Sequence, residues 1–130
     1  MHEWRSHTAE IELAIEADTA EQVFAEAVTA FGELVALDES GEQMHYELAV
    51  EAADREALLV EWLQELIFLA DTESFVPERA EDVQLDGNSL RATVVGRRAP
   101  VEPLVKAATY HGLRFAHEDG VWHAGVVLDV

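Results

Sequence analysis

Apolar and polar residues alternate along several stretches of this chain and fall at helical spacing in two others. Ile11, Leu13 and Ile15 alternate with Glu10, Glu12 and Glu16, the period-2 pattern of a half-buried strand. Val23, Phe24, Ala27, Val28, Phe31, Leu34 and Val35 then share one helical face, which predicts a helix over about Ala20 to Val35. Asp18 reads as its N-cap, with Glu21 three residues on as capping-box partner. Gly41 marks the turn that follows, and Met44, Tyr46, Leu48 and Val50 alternate again over Gln43 to Glu51. Asp54 reads as the N-cap of a second helix, Arg55 to about Ala70. Leu58, Leu59, Trp62, Leu63, Leu66, Ile67 and Leu69 make that helix apolar over much of its surface, as expected of the central core helix.

From Phe75 onward the pattern is β. Val83 and Leu85 lead into the hairpin signal Asp86-Gly87-Asn88, and Leu90, Ala92 and Val94 return from it. After Pro100 and Pro103, Leu104 to His117 reads as a strand interrupted at Gly112. Glu118-Asp119-Gly120 is a second turn, and Val121 to Val130 the last strand. With no internal repeat and no linker, residues 1–130 read as one domain. Two helices and about six strands predict an α+β fold, its helices packed on a mainly antiparallel sheet.

Composition changes this picture in one respect. A hydrophobic fraction of 49% is ample for a core, yet 27 acidic residues against 8 basic ones leave a net charge of −19, spread along the chain. That reads either as salt adaptation, since molar salt cuts the Debye length to about 3 Å, or as an acidic surface that docks on a basic partner. Direct nucleic-acid binding is not expected, because phosphate contacts need clustered cations and Arg97-Arg98 is the only adjacent basic pair. The absence of cysteine removes disulfides, thiolate catalysis and Cys-type zinc sites. No apolar run reaches 18 residues and Met1-His2-Glu3-Trp4-Arg5 is unlike a signal peptide, so no membrane association and a cytoplasmic location are expected.

Candidate chemistry is sparse. The apolar run Val126-Val127-Leu128-Asp129-Val130 carries one carboxylate beside the α-carboxylate of Val130. It reads either as a site for a hard cation, which wants oxygen ligands, or as a strand end fraying into water. His7-Thr8-Ala9-Glu10 reads as the polar start of the first strand or as site residues. His111 beside Gly112 reads as a hydrogen-bonded strand histidine or a site residue, and Lys106, the sole lysine, as a solvated charge or a group kept for a role. Asp71, Thr72 and Glu73 read as a helix exit or an acidic patch. No nucleophile–base–acid set, phosphate loop, HExxH or EF-hand pattern is present, so the residues alone name no reaction.

Four segments carry a family resemblance. His7-Thr8-Ala9-Glu10 looks like the N-terminal His-Thr-Ala-Asp of the archease family, and Leu59 to Leu69 resembles its tryptophan-bearing helix. Val105-Lys106-Ala107-Ala108-Thr109-Tyr110-His111-Gly112-Leu113 is similar to its Lys-Ala-x-Thr-Tyr-His block, and Val127-Leu128-Asp129-Val130 to its terminal Val-Leu-Asp-Ile. The resemblance implies a protein cofactor, itself no enzyme, of RtcB-type RNA ligases in tRNA splicing and RNA repair. It promotes the ligase's metal- and GTP-dependent guanylylation and its multiple turnover. The resemblance also implies a divalent metal, usually described as calcium, on Glu10, Asp129 and Val130, with Lys106, His7 and His111 as further activation residues. Glu10 stands where the family usually has Asp, and Ser6 where many members have a second acid. Two other classes are a metal-dependent hydrolase using the same carboxylates and His111, and a general chaperone or binding module for RNA-processing proteins.

Overall fold

The computed structural model describes residues 1–7, 10–102 and 105–130, with the backbone alone for Ser6 and His7. The chain runs β1 (His2–His7), β2 (Glu10–Ala17), α1 (Ala20–Val35), β3 (Glu42–Glu51), α2 (Arg55–Glu73), β4 (Phe75–Asp86), β5 (Ser89–Arg98), β6 (Ala107–Glu118) and β7 (Val121–Asp129). The α+β class holds, with seven strands rather than about six, divided between two antiparallel sheets rather than one. The additional strand is β1. Its sequence, HEWRSH, holds one large apolar residue, so its alternation is nearly invisible; it forms an edge strand whose hydrogen bonds go to β2.

Helix α1 spans Ala20–Val35 as expected, but its N-cap lies one residue after the predicted Asp18. Ala20 is already helical and buried, which makes Thr19 the N-cap. The Gln22 amide N–H donates to Thr19 Oγ1 at 3.1 Å and the Thr19 amide N–H to Gln22 Oε1 at 3.2 Å, a complete capping box. Asp54 caps α2 as expected, its Oδ1 accepting from the Ala57 amide at 2.8 Å. That helix runs to Glu73 and stops at Ser74, which adopts a left-handed φ of 51°.

The two helices form a layer between the sheets. α1 packs on β1, β2 and β7 on one side and β4 on the other; α2 packs on β6 and on β3, β4 and β5. Trp62, fully buried, ties the layer together by donating its indole N–H to the Phe24 carbonyl at 3.1 Å. Gly32 explains the closeness of α1 to β4, since a Cβ there would sit 1.7 Å from the Pro77 carbonyl oxygen. A helical glycine costs about 0.5–1 kcal/mol, and this close packing is what it allows. Among the described residues, no helix is long and apolar enough to cross a membrane.

The four-stranded sheet has the order β1-β2-β7-β6 and the three-stranded sheet β3-β5-β4. In the larger sheet Leu13, Ile15, Ala124, Val126 and Leu128 face the helices and are at most 2% exposed. Residues of the opposite parity, Glu10, Glu12, Val127 and Asp129 among them, therefore lie on the outer face.

Candidate functional site

One register row crosses the whole four-stranded sheet at its end. His7 of β1 pairs with Glu10 of β2, Glu10 with Asp129 of β7, and Asp129 with Ala107 of β6. His7-Thr8-Ala9-Glu10 thus joins two strands instead of opening the first; Thr8 and Ala9 lie outside the described residues, as does Leu104, the predicted start of the penultimate strand. Directly opposed residues point to one face with Cβ atoms about 4.5–5.5 Å apart. The half-buried side chains of Glu10 and Asp129 therefore stand side by side on the outer face. Val130 follows Asp129, and the Lys106 amide N–H donates to the Asp129 carbonyl at 2.8 Å.

The next rows on this face are ordered by charge. Glu12, its side chain 15% exposed, lies 3.6 Å from an Arg5 guanidinium nitrogen and 3.7 Å from one of Arg114. It bridges guanidinium groups from both edge strands of the sheet. Gly125 makes room for this, because a Cβ there would meet Arg114 Nη2 at 2.6 Å. Between Thr109 and Arg114 the β6 ladder is interrupted by a bulge that carries Tyr110, His111 and Gly112. Gly112 takes a φ of +65°, which suits glycine, and His111 is exposed. Thr109 Oγ1 donates to the Val127 carbonyl at 3.0 Å, and Tyr110 O–H donates to Glu61 Oε1 of α2 at 3.3 Å. Desolvation, reinforced by the Glu61 carboxylate, raises the Tyr110 phenol above its ordinary range. With Arg114 over Gly125 and the bulge over Val127, β7 is covered on both faces, and Val127 is only 5% exposed.

Two carboxylates directly opposite one another repel unless something intervenes. Among the described residues Glu10 and Asp129 make no ion pair, whereas Glu12 has two arginine partners. Oxygen donors of this kind suit a hard cation such as calcium or magnesium. Among the described residues no three His, Cys, Asp or Glu side chains converge, so the side-chain donor set is this pair. Surface cavities of about 600 Å³ beside Arg97 and about 500 Å³ beside Glu26 are not lined by Glu10, Asp129, Lys106 or His111. The carboxylate row is an open face, unlike the concave sites that enclose small substrates.

The remaining sequence candidates fall elsewhere. Asp71, Thr72 and Glu73 form the last turn of α2, where Thr72 Oγ1 donates back to the Phe68 carbonyl at 2.8 Å. Arg97 of the basic pair is buried, donating to the Ser40 carbonyl and standing 3.5 Å from Glu78, so Arg97-Arg98 is no exposed basic patch. The Arg5–Glu12–Arg114 bridge was missed. Its one sequence signal is that Glu12 lies two residues from Glu10 and so shares its face.

The profile of the Archease protein family (MTH1598/TM1083) matches residues 2–130. The chain belongs to the archease family. The archease of Methanosarcina mazei is 30% identical over 139 residues, covering 99% of this chain and 95% of the relative. That of Methanopyrus kandleri is 32% identical over 133 residues, covering 95% of each. The solution structure of Methanobacterium thermoautotrophicum protein 1598 superposes with a TM-score of 0.70 at 29% identity, covering 99% of this chain and 98% of that one. The crystal structure of a Thermotoga maritima archease, described as a possible chaperone, gives a TM-score of 0.68 at 26% identity, covering 100% and 98%. The seven-strand, two-helix arrangement is thus an archease fold.

Proposed function

We propose that this archease activates an RtcB-type RNA ligase, promoting the metal- and GTP-dependent guanylylation of the ligase and its multiple turnover in tRNA splicing and RNA repair. The observation that carries the reading is the row that sets Glu10 beside Asp129 on an open face at the end of the sheet. Glu10, Asp129 and the carboxylate of Val130 would hold a divalent cation, which supplies positive charge where phosphate oxygens gather. Calcium suits the longer Glu10 arm, because its shell of six to eight oxygens is flexible where magnesium demands an octahedron. Lys106, tied through its backbone to Asp129, stands at the same corner, and His7 is brought there by register. His111 is presented on the adjoining bulge. An open face suits a protein partner better than a small substrate, which favours an activator over a hydrolase.

The test is ligase guanylylation followed with labelled GTP, with and without this protein. Wild type is expected to raise the rate and allow repeated turnover, and Asp129→Ala to abolish most of the gain. Equal stimulation by Asp129→Ala, or none by wild type, contradicts the reading.

A further inference from the structure

Among the described residues the exposed large apolar side chains are Met1, Leu37, Phe68 and Tyr110, the last two each 59% exposed. Phe68 and Tyr110 belong to one seam. Glu61 of α2 meets Tyr110 of β6, and one turn later Gln64 meets the next inward residue, accepting from the Ala108 amide at 3.3 Å and donating to its carbonyl at 3.4 Å. Helix and strand therefore run in opposite directions along this seam. The next exposed helix position, Phe68, lies toward the Lys106 end, where the Lys106 amide bonds to Asp129. The seam thus runs toward the end of the sheet that carries the carboxylate row.

Its charge is acidic up to the end marked by the exposed Lys106. On the helix surface Phe68 is flanked at i−3 by Glu65 and at i+3 by Asp71, and Glu61 stands beside Tyr110. Aromatic rings bordered by carboxylates match one side chain best. A guanidinium can stack on the ring face while its N–H groups pair with the acids. Gln64 meanwhile satisfies the β6 edge at Ala108, so this stretch of the edge is covered against pairing with another strand.

We propose that the α2–β6 seam, anchored by Phe68 and Tyr110 and rimmed by Glu61, Glu65 and Asp71, docks an arginine-bearing segment of the partner protein. The inference rests on the activator reading and assigns that partner a second contact beside the carboxylate row. The seam holds the partner, and the row acts on it.

The experiment measures binding of the immobilised ligase by interferometry at about 0.1 M and about 1 M salt, where the Debye length falls from about 10 to about 3 Å. Guanylylation is followed in parallel. Phe68→Ser is expected to weaken binding tenfold or more at both salts. The double variant Glu65→Gln/Asp71→Asn is expected to weaken it several-fold at the lower salt and little at the higher. Circular dichroism checks that the variants, all at surface positions, keep the fold. If both bind as wild type does while Asp129→Ala still loses stimulation, the seam inference fails and the activator reading stands. If wild type neither binds nor stimulates the ligase, both fail. A wild-type dimer in sedimentation that Phe68→Ser dissociates would make the occupant a second copy and overturn the proposal.

Discussion

The two sheets differ in how the charges of their outer faces are paired. On the three-stranded sheet, Gln43, His45, Glu47, Ala49 and Glu51 of β3 are exposed, and Glu81, Gln84 and Asp86 of β4 are exposed beyond β5. That part of the face is an alternating strand surface in water with the ion pair Arg79–Glu81 at 3.1 Å, whereas on β5 Val95 and Arg97 are buried, Arg97 donating to the Ser40 carbonyl and standing 3.5 Å from Glu78. On the four-stranded sheet, Ala124 to Leu128 are buried without a break, Glu12 is bridged by two arginines, and in the end row Glu10 and Asp129 make no ion pair among the described residues. Alternation alone specifies a sheet with one dry side. Both outer faces are also partly dry with charges in fixed partnerships, and what sets the four-stranded sheet apart is the directly opposed pair Glu10 and Asp129, which has no cationic partner among the described residues. On the activator reading proposed above, that pair marks the working surface.

The largest expected contrast is in packing. Leu128→Ala, fully buried on β7, should cost about 2–5 kcal/mol in chemical denaturation. Leu48→Ala, half-buried on the inner face of the edge strand β3, should cost clearly less, and equal costs would show the two sheets to pack equally tightly on the helices. A pair of glycines sharpens the point. A Cβ on Gly96 meets the Val76 backbone oxygen at 2.1 Å, so Gly96→Ala should cost about 1–3 kcal/mol. The atoms nearest a Cβ on Gly125 are the movable end of Arg114, so Gly125→Ala should displace that guanidinium at less than about 1 kcal/mol, the scale of an exposed ion pair.

Activity should divide along the same line. Neutralising Asp129 should lower ligase stimulation at least about tenfold, whereas Glu47→Gln on the other sheet should leave it unchanged in the same guanylylation assay. The smallest effect concerns how β1 is held. His2 contacts Glu26 at 3.1 Å and Glu33 at 2.7 Å, clasping β1 to α1. Burial works to raise the Glu26 carboxyl, but hydrogen bonds from the Met1 ammonium and His2 outweigh it and hold it below the ordinary carboxylate range. A depressed carboxyl contributes stability that is complete above its unfolded pKa and lost as pH falls through the folded one. Wild type should therefore exceed Glu26→Gln in stability at neutral pH, with the gap closing only in acid below about pH 4.5, the ordinary value. A gap that persists there would show that the contact is not ionic.

Much of the fold was legible because its signals are local. The 3.6-residue spacing from Val23 to Val35 placed α1, and Asp86-Gly87-Asn88 placed the β4–β5 turn. The elements misread depend on tertiary context. β1 has too few apolar residues to show a period, and Asp18 lost the cap to Thr19 because burial of Ala20 set where the helix starts. The site was legible only as residues, not as an arrangement. Asp129 is a lone carboxylate in the sequence, and its neighbour Glu10 lies 119 positions away. Register between the first and last strands is set by which faces are buried, a global property that no local window contains. The family resemblance named Glu10, Asp129 and Val130, and the sheet explains how the first two come to share a face.

The central claim is that Glu10 and Asp129 act as one oxygen-donor pair. Calorimetric titration of calcium into wild type, Glu10→Gln, Asp129→Asn and the control Glu47→Gln tests it most directly. The account predicts one site in wild type and the control, weakened at least about tenfold by neutralising either carboxylate of the pair. Equal calcium affinity in all four proteins would contradict it.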